Sequence, residues 1–150
     1  MLKEKLESDL KNALKAGESR RISVLRMAIS AIRNKEIEKM KKDTGLSDDE
    51  VMAILQTEIR KRRDSVVEFR KGGREELAKN EEAEIVMIQP YLPADATDDD
   101  IEKAVRAAIQ ETLSASPADF GKAMKAAMAK LKGRADGNRV SAVVKRALGA

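Results

Sequence analysis

The sequence contains no histidine, no cysteine and no tryptophan, and its aromatic residues are one tyrosine and two phenylalanines. Without histidine, no side chain has an unperturbed pKa close to neutrality. Without cysteine, there is no thiol nucleophile, no disulfide and no thiolate ligand for a metal. Any catalysis would have to use carboxylate, lysine or hydroxyl chemistry. We therefore expect a binding protein with no catalytic centre of its own, no bound metal and no cofactor.

The N-terminal residues also lack a long run of uncharged apolar side chains. The first ten residues, MLKEKLESDL, alternate charged residues with leucine. This pattern argues against a signal peptide or a membrane span. Together with the absence of cysteine, it leads us to expect a cytoplasmic protein that does not bind membranes.

Aliphatic residues at helical spacing occupy most of the chain. No stretch shows the sustained apolar–polar alternation, rich in β-branched or aromatic residues, that is typical of strands. The sequence therefore predicts an all-α fold with a core of Leu, Ile, Val, Met and Ala. The first predicted helix ends at Gly17 and carries a leucine at every fourth position: Leu2, Leu6, Leu10 and Leu14.

Two long helices are predicted next, and we expect them to pair as an antiparallel hairpin. The second helix begins near Glu18 and continues for about six turns through Ile37 and Met40. The third begins at Ser47, which with Glu50 forms a capping-box pattern, and it ends at the Gly72-Gly73 pair. A fourth helix is predicted over residues 74–89.

Four consecutive basic residues, RKRR at residues 60–63, lie in the third helix. Their side chains point in different directions around the helix axis, so they cannot all contact one partner. Arg62 falls on the apolar stripe of this helix, one turn from Glu58. We interpret it as part of a half-buried arginine–glutamate layer across the hairpin, where Arg26, Arg33 and Glu36 border the facing stripe. This structural interpretation is favoured over a functional site.

The segment Pro90-Tyr91-Leu92-Pro93 interrupts regular structure twice, and we place a domain boundary there. The prediction is an N-terminal helical hairpin domain over residues 1–93 and a C-terminal three-helix domain over residues 94–150. In the second domain, Asp98-Asp99-Asp100 is interpreted as a helix start and not as a metal site, because consecutive carboxylates diverge. The next helix is predicted to begin at Ser116. The last helix is predicted to follow an Asp136-Gly137 turn, with Asn138 as its cap.

Positive charge is concentrated near the C-terminus, where Asp136 is the only acid between Lys122 and Arg146. Helical spacing places three lysines along one flank of the sixth helix and two arginines, two turns apart, on the last helix. A glycine between the helices would let the backbone approach a phosphate. Such a surface favours a polyanionic partner, first of all RNA, although an ordinary solvated surface explains the charge equally well. The candidate RNA-binding residues are Lys122, Lys125, Lys132, Gly133, Arg134, Arg139 and Arg146.

Two long stretches of the sequence, RKRRDSVVEFRKGGREELAKNEEAEIVMIQPYLPADATDDDIEKAV and ADFGKAMKAAMAKLKGRADGNRVSAVVKRAL, resemble the YqeY family of small bacterial proteins. The resemblance covers essentially the whole chain, and one departure is Phe120, where the family's familiar form has methionine. Its most specific pieces are Arg63-Asp64-Ser65, Gly72-Gly73-Arg74, Tyr91-Leu92-Pro93, Gly121-Lys122 with Met124, and the run KGRADG from Lys132 to Gly137.

The C-terminal part of that family is similar to the tail domain of the GatB subunit of tRNA-dependent amidotransferases, a tail that is understood to contact tRNA. The resemblance therefore implies a tRNA-contacting helical domain related to a carbon–nitrogen ligase activity with glutamine as amido-N-donor. It does not imply catalysis by this chain, because we find neither a phosphate-binding loop nor a serine–lysine arrangement for amidase chemistry. The alternative is a helical adaptor that docks on an aminoacyl-tRNA synthetase, an amidotransferase subunit or a second copy of itself. An intrinsic amidase or ligase is a third hypothesis.

Overall fold

The structure, a computed structural model, describes residues 1–149, and no strand occurs among them. The all-α prediction is confirmed. Two short 3-10 turns, Gln89–Tyr91 and Pro117–Asp119, accompany the α-helices. Across residues 1–149, none of the helices combines the length and the apolar character that crossing a bilayer requires. The α-helices are α1 (Leu2–Ala16), α2 (Ser19–Glu38), α3 (Asp48–Lys71), α4 (Glu75–Ile88), α5 (Asp98–Thr112), α6 (Phe120–Leu131) and α7 (Gly137–Ala147).

The chain divides into two compact units, each with its own hydrophobic core. The first unit is Met1–Leu92 and contains α1 to α4; the second begins at Pro93 and contains α5 to α7. Aliphatic side chains from all four helices fill the first core. Its largest fully buried side chains include Leu6, Leu25, Ile32 and Leu55.

Side-chain caps fix the starts of several helices. At α3 the Glu50 amide donates to the Ser47 hydroxyl at 3.2 Å, and the Ser47 amide donates to the Glu50 carboxylate at 2.8 Å. The Lys39 ammonium, the Ser47 amide and the Lys41 ammonium lower the pKa of Glu50 to about 2. At α7 the cap differs from the prediction, because Asp136 accepts from the Asn138 amide at 2.6 Å and Asn138 lies inside the helix.

The helix pairing in the first unit differs from the predicted hairpin. Helix α2 packs most extensively on α1, and α3 packs most extensively on α4, whereas the α2–α3 contact is smaller. Two apolar residues near the end of the predicted second helix face solvent, since Ile37 is 63% exposed and Met40 is 93% exposed. Helix α2 ends at Glu38, so Met40 falls in the connection to α3.

A charged layer lies inside the first unit, with Arg62 of α3 at its centre. The Arg62 guanidinium donates to the Glu58 carboxylate at 3.2 Å and to Glu84 of α4 at 3.3 Å. Arg62 is 5% exposed and Glu58 is 8% exposed. Arg62 and Glu58 therefore pair as predicted, but the predicted layer across the α2–α3 hairpin is wrong, because the second carboxylate that Arg62 binds comes from α4. Glu36 of α2 is instead held by the Lys3 ammonium at 2.8 Å.

Tyr91 fastens the end of the first unit to α1. Its hydroxyl donates to the Asp9 carboxylate, and the Lys5 ammonium lies 5.4 Å from the centre of its ring. Burial, followed by the hydrogen bond to Asp9, raises the pKa of Tyr91 to about 12.

The core of the second unit is rich in alanine. Ala108 of α5 and Ala123 and Ala127 of α6 are completely buried, and the valines of α5 and α7 pack around them. Small side chains at facing positions let helix backbones approach closely. Phe120, the first residue of α6, is only partly buried and packs against this core.

Candidate nucleic-acid interface

The lysines of α6 lie on the side of the helix opposite its buried alanines. Lys122 and Lys125 are exposed, whereas Ala123 and Ala127 are buried. Lys132, the residue after α6, has a left-handed backbone with φ of 45° and is followed by Gly133 with φ of 78°. The two successive left-handed residues end the helix abruptly and leave the Lys132 side chain exposed.

Two acids near these lysines already form ion pairs. Lys130 holds Glu111 of α5 at 2.6 Å, and Lys122 lies 3.4 Å from Asp119. Lys125 and Lys132 form no ion pair with any residue that the structure describes. Their ammonium groups are consequently available to an anion from solution.

Arg134, in the turn between α6 and α7, has a structural role within the second unit. Its guanidinium donates to the Ala94 carbonyl at 3.2 Å and to the Asp100 carboxylate at 3.1 Å. Its own carbonyl accepts from the Ala96 amide at 2.6 Å. Hydrogen bonds from the Thr97 backbone and side chain, with Arg134 as a lesser cause, hold the pKa of Asp100 below its usual value.

Arg139 makes a second connection to the same segment. Its guanidinium donates to the Ala96 carbonyl at 3.1 Å and to the Asp98 carboxylate at 3.0 Å. We call Arg134 and Arg139, with the carbonyls and carboxylates that they bind at residues 94–100, the arginine clamp. The clamp attaches the segment before α5 to the start of α7, so these two predicted RNA-binding residues already have protein partners.

Arg146 shares a groove with Arg139, as the spacing of two turns predicts. This groove has a volume of about 510 Å³, and its lining residues come from α5 and α7. Arg146 is exposed and makes no ion pair within residues 1–149. The candidate residues thus fall into three places: the α6 flank with Lys122, Lys125 and Lys132, the turn with Gly133 and Arg134, and the α5–α7 groove.

Lys145 of α7 is a cation of this unit that is not among the candidate RNA-binding residues. Its ammonium group lies 5.9 Å from the centre of the Phe120 ring, within the range of a cation–π contact. Its position directly before Arg146 in the sequence would have been enough to assign it to the basic surface. As for metals, no cluster of three potential ligands from Asp or Glu occurs in the part of the chain that the structure describes. The arrangement offers ammonium and guanidinium groups to an anionic partner.

Comparison with known proteins identifies relatives over most of the chain. A family model described as Yqey-like protein matches residues 3–148. The chain is 38% identical over 87 residues to "Altered inheritance of mitochondria protein 41, mitochondrial" of Vanderwaltozyma polyspora, a match that covers 58% of this chain and 46% of that protein. The protein of the same name from Lachancea thermotolerans is equally similar over the same shares. The one from Pyrenophora tritici-repentis is 29% identical over 97% of this chain and 80% of its own length.

The matched region spans about half the length of the first two of these relatives. All three are named as mitochondrial proteins, which contradicts the cytoplasmic location expected from the sequence. That expectation was wrong because the absence of cysteine and the charged N-terminal residues do not distinguish one reducing compartment from another. The resemblance to the YqeY family, in contrast, is confirmed by a match that includes both units. The chain belongs to the Yqey-like protein family.

Proposed function

We propose that this protein binds structured RNA, with tRNA as the first candidate, through the cations of its second unit. The observation that carries the proposal is that three of the candidate residues in this unit, Lys125, Lys132 and Arg146, are exposed and form no ion pair with a described residue. Neighbouring acids are occupied by other cations, as in the Lys130–Glu111 pair. Cations that a fold leaves unneutralised favour a polyanionic partner.

Recognition in this proposal depends on phosphates and shape. The deep major groove of A-form RNA hides the base edges, so a helix that presents lysines contacts phosphates and 2′-hydroxyls. Lys122 and Lys125 are separated by about 4.5 Å along the helix axis, and Lys132 continues the same flank about 10 Å further on. Base stacking has a small part, because the whole sequence contains three aromatic residues.

The arginine clamp suggests different roles for the remaining candidates. Arg134 and Arg139 hold the turn after α6 in place, and Gly133 lets its backbone come close to a phosphate. Breaking the clamp would weaken RNA binding indirectly, through the position of Lys132. The first variants should therefore change lysines and leave the clamp intact.

The relation to amidotransferases is also a proposal, supported by the resemblance of the second unit to the GatB tail. In this proposal the protein contacts tRNA while a partner, either an amidotransferase subunit or an aminoacyl-tRNA synthetase, holds the catalytic centre. A chain without histidine and cysteine suits a role in which it binds tRNA and a partner catalyses the reaction. We expect the purified protein to release no ammonia from glutamine, and release that depends on the protein would contradict this part of the proposal.

The decisive experiment is fluorescence-anisotropy titration of the full chain with tRNA and with a DNA duplex of equal length. Neutralising about three to four phosphates predicts that raising the salt from about 50 to about 200 mM weakens tRNA binding by about 40- to 150-fold. We expect tRNA to bind more tightly than the duplex at both salt concentrations. Equal, weak binding of both polymers would mean that the cations are ordinary solvated surface.

The double variant Lys125→Glu/Lys132→Glu tests the surface itself. We expect it to fold normally and to lose tRNA binding by at least about a hundredfold, because two attractions become repulsions. The matched control is Lys42→Glu/Arg60→Glu, which makes the same change in net charge at exposed residues of the first unit. If both double variants weaken binding equally, binding follows total charge and the proposed surface is wrong.

A further inference from the structure

A second binding surface lies in the first unit, between α1 and α2. The two helices border an open groove with a volume of about 510 Å³. We call its three apolar lining residues, Leu10 and Leu14 of α1 and Ile29 of α2, the floor of the groove. Leu14 belongs to the leucine stripe that the sequence assigns to the core, yet it is 46% exposed.

Positive charge dominates the rims of this groove. Lys11 stands on the α1 side, and Arg26 and Arg33 stand on the α2 side. The acid that lines the groove, Glu7, lies 3.5 Å from the Arg33 guanidinium and is thus already engaged. Lys11 and Arg26 are exposed and form no ion pair with a residue in the described part of the chain.

We propose that this groove binds an acidic amphipathic helix of a protein partner. Apolar side chains one turn apart on the incoming helix would cover Leu14 and Leu10, and acidic residues beside them would meet Lys11 and Arg26. From Glu7 to Leu14 the groove extends about 10 Å, enough for two turns of helix. The incoming helix thus matches both features of the groove, with apolar side chains for the floor and acidic side chains for the basic rims.

RNA fits this groove less well than a helix does. A phosphate backbone would neutralise the rims, but it would leave the leucines of the floor in contact with water or with polar groups. The groove contains no aromatic side chain on which a base would stack. This groove therefore contains none of the candidate RNA-binding residues, and its proposed partner is independent of whether those residues bind RNA.

The probe for this proposal is a synthetic helical peptide of about 15 residues, long enough to be partly helical in water. It carries leucines along one face and glutamates on both flanks, and a twin peptide has lysine at every glutamate position. Each peptide is titrated into isotope-labelled full chain, and the amide shifts are followed by NMR. We expect the acidic peptide to shift amides around Leu10, Leu14 and Ile29, and the basic twin to bind at least about tenfold more weakly.

Two variants test the basic rims and the apolar floor of the groove separately. Lys11→Glu/Arg26→Glu should weaken binding of the acidic peptide by at least about tenfold, whereas Lys42→Glu/Arg60→Glu should leave it unchanged. Leu14→Ala removes part of the floor at a half-exposed position, where folding is expected to tolerate the change, and should weaken binding by about three- to tenfold.

Several results would overturn the proposal. Equal binding of the acidic and basic peptides would show that the rims do not select charge, and shifts outside α1 and α2 would place the contact elsewhere. Loss of tRNA binding in Lys11→Glu/Arg26→Glu, with the control unchanged, would assign the groove to nucleic acid. Failure of the tRNA titrations with the wild-type chain would leave these peptide results unaffected.

Discussion

Replacing Arg62 with methionine should destabilise the first unit by about 2–4 kcal/mol. The Arg62 side chain is 6% exposed and serves two carboxylates, those of Glu58 and Glu84. Removing one member of a buried ion pair costs about 3–5 kcal/mol, because the other charge stays buried without compensation. Here the cost is lowered because Glu84 is 24% exposed and Glu58 retains Lys61 at 3.4 Å.

Urea unfolding can measure this loss for the first unit alone. The sequence has no tryptophan, and its single tyrosine, Tyr91, belongs to the first unit. Tyrosine fluorescence therefore reports the unfolding of that unit, whereas circular dichroism reports helices in both units. We expect the fluorescence transition of Arg62→Met to move to lower urea with little change in its slope.

Two control variants make this prediction refutable. Arg60→Met changes an exposed arginine two residues away and should alter the free energy of unfolding by less than about 0.5 kcal/mol. Arg62→Met/Glu58→Leu removes both members of the buried pair and should regain much of the lost stability. A loss of less than about 1 kcal/mol in Arg62→Met, or a double variant less stable than the single one, would contradict this account of the buried pair.

Two further predictions concern single hydrogen-bonded groups. In a spectroscopic titration, the Tyr91 phenol of the folded protein should ionise near pH 12, as against about 10 in denaturant. Because its folded pKa is raised, its contribution to stability is complete below pH 10 and is lost as the pH rises towards 12; a folded midpoint near 10 would contradict the burial and the hydrogen bond to Asp9. Arg139→Ala should lower the free energy of unfolding of the second unit by about 1 kcal/mol, since it removes bonds from a side chain that is 41% exposed. Thermal unfolding followed by circular dichroism, with Tyr91 fluorescence identifying the transition of the first unit, measures this change, and an unchanged transition of the second unit would mean that Arg139 adds nothing to its stability.

Local signals in the sequence were sufficient to predict the helices. The capping box at Ser47 and the left-handed Gly17 act within a few residues, so a reader of the sequence can find them. The interior position of Arg62 followed from its place on an apolar stripe. Its second partner did not, because nothing in the sequence distinguishes Glu84 from the other acids that could have faced it.

The same local signals could not predict which helices pack against each other. The apolar stripe of α3 suits α2 or α4 equally well, and only the summed packing of all four helices selects α4. The arginine clamp was missed for a related reason, since Arg134 and Asp100 are 34 residues apart. An excess of cations near the C-terminus is visible in the sequence, but which of them are neutralised depends on the folded structure.

The alanine-rich core of the second unit adds a sensitivity to mutation that substitution to alanine does not test. In the first unit, trimming a buried leucine such as Leu55 leaves a cavity, and the damage grows with the volume removed. In the second unit, Ala123 and Ala127 have almost no volume to lose, and a larger residue there must push two helices apart. Ile101, Val105 and Leu131 make the second unit sensitive to lost volume as well. A scan of substitutions to alanine would therefore detect the large buried side chains of both units, but not the positions at which the second unit excludes larger residues.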